Sequence, residues 1–185
     1  MMKRELFLFF AIQFLVLSVV AENRMTIGKV VPCDSGLSKD VLYNRGYNWV
    51  VSVFKNPQKV VQIKDKEGGQ IVCKGYFEYA PENDVWSRYD ATKGYIHFTV
   101  KLFFKDGRYK YVFTDFIHAP KDEAMSFGVI TMEDEYPGTL SLSTKKWREW
   151  IWDDIKEQVE WKVGVIEASL LKGMQKVAEI EDESW

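Results

Sequence analysis

Residues 94–118 constrain the fold more than any other part of the chain. Two runs of alternating apolar residues flank Lys105-Asp106-Gly107-Arg108. Asp-Gly between such runs marks a tight hairpin, because both central turn positions favour positive φ. The turn sets the pairing: Phe104 opposite Tyr109, Leu102 opposite Tyr111, Val100 opposite Phe113, and Phe98 opposite Asp115. Side chains alternate with period two, so Ile96, Phe98, Val100, Leu102 and Phe104 share a core face with Tyr109, Tyr111, Phe113, Asp115 and Ile117. The other face then carries Tyr95, His97, Thr99, Lys101 and Phe103 beside Lys110, Val112, Thr114, Phe116 and His118. A mixed aromatic face of this kind suits a binding partner, and it equally suits a covering helix, loop or second copy.

The chain opens Met1-Met2-Lys3-Arg4 and continues with an apolar run of about 15 residues that ends at Val19-Val20-Ala21. Positive charge, a short apolar stretch and a small residue at the cut define a secretory signal peptide over 1–21. A membrane-spanning helix needs about 20 apolar residues, so a retained anchor is the weaker reading. The expected mature chain, 22–185, has the length of one domain and is expected in the periplasm or outside the cell. Its slightly acidic balance speaks against a broad nucleic-acid footprint. Export would place Cys33 and Cys73 in an oxidising compartment, where they either pair or remain as two buried thiols.

Along the chain, 25–31 reads as a strand closed by Pro32. Ser38 is placed to cap a helix over 38–54, with Asp40 in its first turn and Leu42, Gly46, Trp49, Val50, Val53 and Phe54 along one stripe. Two strands, 59–65 and 70–79, surround Lys66-Glu67-Gly68-Gly69, and 80–93 is a polar loop. After the central hairpin comes an irregular acidic segment, 119–143, followed by a long helix, 144–179. The expected architecture is a single α+β domain, a two-layer sandwich in the order β-α-β-β-β-β-α. It places an antiparallel sheet under helices on one face.

Several stretches also have the character of a known family: Leu37-Ser38-Lys39-Asp40, Leu42-Tyr43-Asn44-Arg45, Trp49, 60–67, 105–109 and 111–116. They resemble exported bacterial domains of unknown function with a TATA-box-binding-protein-like (TBP-like) fold, common in anaerobic Gram-negative bacteria. The resemblance covers about 27–118 well and the tail from Phe127 more loosely. It implies a curved antiparallel sheet with helices on one face, and no activity, since the family has none assigned. The fold name alone implies no DNA binding.

No nucleophile motif, HExxH motif or phosphate loop occurs in the sequence. His97 and His118 are the two histidines, and the hairpin register puts both on the open face, with Thr99 and Thr114 as poor further ligands. They read as surface histidines, and neither a metal nor a cofactor is expected. Asp115 reads as a core-face carboxylate that caps backbone or hydroxyl donors. Glu133-Asp134-Glu135 lacks the spacing of a calcium loop and reads as solvated.

Trp147, Trp150, Trp161 and Val165 form a second apolar face on the last helix, opposite the stripe through Trp152. Either the 119–143 segment folds over it through Val129, Ile130 and Met132, or a partner does. The functional expectation is a non-enzymatic module that binds a protein, glycan or envelope component. Its candidate surfaces are the open sheet face (Tyr76, Phe103, Phe116) and the second tryptophan face. The alternatives are a homodimer built through the last helix, or a small metal-dependent enzyme assembled from His97, His118 and Asp115.

Overall fold

The computed structural model describes residues 23–82, 89–121, 123–140 and 143–175. The expected leader lies outside them, as does the end of the expected last helix. The elements run β1 (Ile27–Pro32), α1 (Lys39–Val53), the single turn α2 (Pro57–Val60), β2 (Val61–Asp65), β3 (Gln70–Tyr79), β4 (Gly94–Lys105), β5 (Arg108–Pro120), β6 (Gly128–Val129) and α3 (Lys145–Gln175). All strand pairs are antiparallel, in the sheet order β1-β5-β4-β3-β2, with β6 also pairing β5. The two-residue β6 lies inside the segment expected to be irregular.

Local chemistry places α1 over the sheet. The Ser38 hydroxyl accepts the Val41 N–H at 3.3 Å and caps the helix, and Asp40 sits in the first turn. Leu42, Tyr43, Trp49 and Val50 are buried beneath it. Gly46 lets the helix approach, since a Cβ there would lie 2.3 Å from the Phe104 ring. Alongside α1, the 31-residue α3 lays Trp152, Ile155, Val159, Val163 and Leu170 onto the same core. Both helices therefore cover one side of the sheet.

The hairpin register holds from the turn outward as far as Thr99 opposite Thr114, and then shifts. His97 pairs with Ile117 and Ile96 with His118, so Phe98 faces both Asp115 and Phe116. The extra residue is Asp115, at φ +55°, in the left-handed position that bulges of this kind usually give to glycine. One extra residue exchanges the two faces beyond it. Phe116 and His118, expected on the open face, are 0% and 1% exposed in the core. Ile117, expected in the core, lies 40% exposed on the open face. Asp115 is likewise no core carboxylate, because it reaches out to Arg24 at 2.9 Å.

Cys33 and Cys73 are both free. β1 and β3 are separated by β5 and β4, which puts them about 14 Å apart across the sheet, beyond the reach of a disulfide. Burial pushes the Cys73 thiol up to about 12 and raises Cys33 as well, so both stay protonated and unreactive at neutral pH.

Candidate binding surface

With both helices on one side, no described element lies over the opposite side of the sheet. Alternation along β3, β4 and β5 aligns its side chains in rows across the strands. One row runs Tyr76, His97, Ile117, Val129, and the next pairs Glu78 with Tyr95. Tyr76 is 65% exposed and packs edge-on to Tyr95, with ring centroids 5.2 Å apart, and against His97 at 5.8 Å. The middle rows hold Lys74 beside Thr99 and Thr114, then Val72, Lys101 and Val112. Toward the hairpin turn, Val30, Phe103, Lys105, Arg108, Tyr109 and Lys110 line an open cleft of about 460 Å³.

The charge of this face opposes that of the chain. The whole sequence carries a formal charge of −2, yet Lys74, Lys101, Lys105, Arg108 and Lys110 all project here. Of the nearby acids, Asp65 accepts the Gly68 N–H at 2.8 Å and Asp115 pairs with Arg24, while exposed Glu78 stands beside Tyr95 at the aromatic end, away from the lysines. A locally cationic, aromatic surface on an acidic protein favours an anionic partner arriving in one orientation.

The sequence-derived site residues fall in several places. Tyr76 and half-buried Phe103 lie on the open face, whereas Phe116 is core and is withdrawn from the site. Trp147 and Trp150 are half-buried against the core, with the Trp147 ring 6.1 Å from Phe127. Phe127 covers Trp147, and Tyr136 packs beside Phe127 against Trp152 of the core stripe. Of the three residues expected to cover this face, Ile130 is buried, while Val129 lies on the open sheet face and Met132 is exposed. Trp161 and Val165 stand 64% and 53% exposed. The proposed grouping of His97, His118 and Asp115 does not form: His97 is on the open face, His118 is buried beneath the sheet, and Asp115 is ion-paired.

The buried carboxylate is instead Asp154 of α3. It accepts the Tyr79 hydroxyl at 2.7 Å, the Gln158 amide at 3.0 Å and the Glu82 N–H at 3.4 Å. This network ties residues 79–82 to the helix, and its acceptor raises the Tyr79 hydroxyl further above an already burial-shifted value. Only the break it makes in the pattern of α3 could have marked Asp154 in the sequence, since an acid there sits on the same side as Trp147 and Trp150.

His118 closes a second junction. The Phe127 N–H donates to its Nδ1 at 3.1 Å, so the ring proton resides on Nε2 and donates to the Thr92 carbonyl at 2.8 Å. Burial lowers its pKa. The unfolded chain therefore binds a proton that the folded one refuses, and stability falls as pH drops below about 6.5. The loss approaches about 1.4 kcal/mol per pH unit until the folded group titrates. Urea midpoints between pH 7.5 and 5 should show this slope in the wild type and a flatter one in His118→Gln. Equal slopes would show that His118 is not held neutral.

This arrangement, an open antiparallel sheet with two helices on one face, defines a TBP-like α+β protein. Residues 29–119 match the model of the family described as "Domain of unknown function (DUF4468) with TBP-like fold". The fold is similar to that of a TBP-like protein from Parabacteroides distasonis, at 16% identity and a TM-score of 0.52 over 80% of this chain and 93% of that one. It is similar also to a DUF4468 family protein from Bacteroides ovatus, at 10% identity and a TM-score of 0.55 over 80% and 86% of the two chains. No curated protein matches the sequence. Among the described residues no helix is long and apolar enough to cross a membrane.

Proposed function

We propose that the protein is an exported, non-enzymatic binding module that holds an acidic glycan of the cell envelope against the open face of its sheet. One observation carries this reading: among the described residues the two long helices, α1 and α3, lie on one side, leaving Tyr76, Tyr95 and His97 on the other in line with a lysine-rich half of the same surface. Cores of protein–protein interfaces are depleted of charge, lysine in particular. Here Lys101 and Lys74 stand in the middle rows beside threonines, which suits a hydrated, flexible anionic polymer better than a dry protein surface. The charged, apolar start of the chain would deliver the module to the compartment where such polymers are met.

Calorimetric titration with polygalacturonate, with its neutral methyl ester as control, tests the proposal. Binding to the acid alone is expected, weakening as salt rises. Tyr76→Ala/Tyr95→Ala should lower affinity about tenfold, and Lys101→Glu/Lys110→Glu should remove the salt dependence. Equal binding of the ester, or variants that bind like the wild type, would overturn the reading. Tighter binding of polyglutamate than of the glycan would make the partner an acidic polypeptide instead.

A further inference from the structure

The second face of α3 is covered over its first half only. Tyr79 and residues 80–82 close over Asp154 and Gln158, the Gln158 amide reaching the Ala80 carbonyl at 2.8 Å. From Glu157 onward the residues on this side, Trp161, Gly164, Val165, Ala168 and Lys172, are all exposed. Their spacing keeps them on one side of the helix over about 22 Å.

Nothing among the described residues requires a glycine at Gly164. A Cβ there would meet nothing within 4 Å, and its φ is not positive, while glycine is among the poorest residues for a helix interior. A glycine on an exposed helix face does serve close approach of a second helix.

We infer that this face pairs with the same face of a second copy, with the two α3 helices antiparallel and the twofold axis between Gly164 and Val165. Counting outward from that axis, Trp161 falls opposite Ala168 of the other copy, Gly164 opposite Val165, and Glu157 opposite Lys172. Each large side chain meets a small one and each charge its opposite. Every contact occurs twice, as a twofold interface requires. A parallel arrangement would set Glu157 against Glu157 and Lys172 against Lys172, so charge selects the antiparallel one. A contact made by one helix face from each copy buries little surface, so a reversible dimer is expected. It lies on the helical layer and leaves both open sheet faces free. A dimer would therefore present two binding surfaces to one polymer and gain by avidity. The inference is independent of what the open face holds.

The test is solution mass by sedimentation equilibrium across a concentration series, on the chain from Glu22 onward, which contains every described residue. The wild type should be a dimer in exchange with monomer. Trp161→Glu, Glu157→Lys and Lys172→Glu should each weaken it by about tenfold or more. The double reversal Glu157→Lys/Lys172→Glu should restore it, which no purely structural role of these exposed residues would produce. Unchanged circular dichroism and urea midpoints would confirm that each variant folds. A monomeric wild type, a dimer indifferent to the single variants, or failure of the double reversal to restore dimerisation would each overturn the inference.

Discussion

Replacing Trp152 by alanine is expected to remove about 3–5 kcal/mol of folding stability, the range for truncating a fully buried large aromatic. Trp152 is completely enclosed. Its ring stacks on Phe127 at 6.5 Å, meets Tyr136 at 5.4 Å, and its indole N–H donates to the Glu133 carbonyl at 2.9 Å. One side chain thus joins the α3 core to the segment between β5 and α3, which has little regular structure to hold it otherwise. Trp152→Ala would leave a cavity and take one of two donors from the Glu133 carbonyl, which keeps the Lys156 ammonium at 3.0 Å. Trp152→Phe keeps most of the packing and should cost about 1–2 kcal/mol, separating the hydrogen bond from the ring. Domains of this size are stable by about 5–15 kcal/mol, so the alanine variant would be marginal and its urea midpoint strongly lowered. A loss below about 1 kcal/mol for the alanine variant would show that the segment is not pinned here.

The chemistry that was legible in the sequence is local. Ser38 with Asp40, the Asp106-Gly107 turn and the 3.6-residue stripe of α3 each specify their element through a few neighbouring residues. The structure shows Lys39–Val53, the 94–105 and 108–120 strands, and the long helix accordingly. The α+β order and the one-sided placement of the helices follow from those pieces. What stayed hidden depends on contacts between distant parts of the chain, or on a conformation unusual for its residue. Asp115 takes a left-handed conformation without being glycine, held by Arg24 from 91 residues earlier in the chain. The sequence marks that position only as a carboxylate on the core face, which does not reveal an extra residue, so the faces of Phe116, Ile117 and His118 were exchanged. Asp154 reads as an ordinary helix-surface acid until the chain at 79–82 closes over it. The tryptophan face of α3 was legible as a stripe, but its division into a covered and an open half is set by distant residues, Phe127 against Trp147 and the chain at 79–82 over Asp154 and Gln158.

The open-face rows depend on the same bulge, because it delivers Ile117 beside His97 and draws His118 inward. Two single-residue deletions in β5 should therefore differ sharply in effect. Removing Asp115 joins Thr114 directly to Phe116. Phe116 then falls opposite Phe98, Ile117 stays opposite His97, and His118 stays opposite Ile96, so every face is kept. That variant should fold with a change of about 1 kcal/mol or less, since the strained φ disappears together with an ion pair that is partly open to water. Removing Val112 offers no such repair. Even if the ladder slides to absorb the bulge, Phe113 must turn to the open face and Thr114 must enter the core opposite Val100. Phe113 is fully buried and packs against Phe98 and Tyr111, so its loss alone should cost about 3–5 kcal/mol. Urea unfolding of the two variants measures the difference directly. If deletion of Asp115 proved as damaging as deletion of Val112, the extra residue would be supplying twist or curvature that the sheet cannot do without, rather than only adjusting the register.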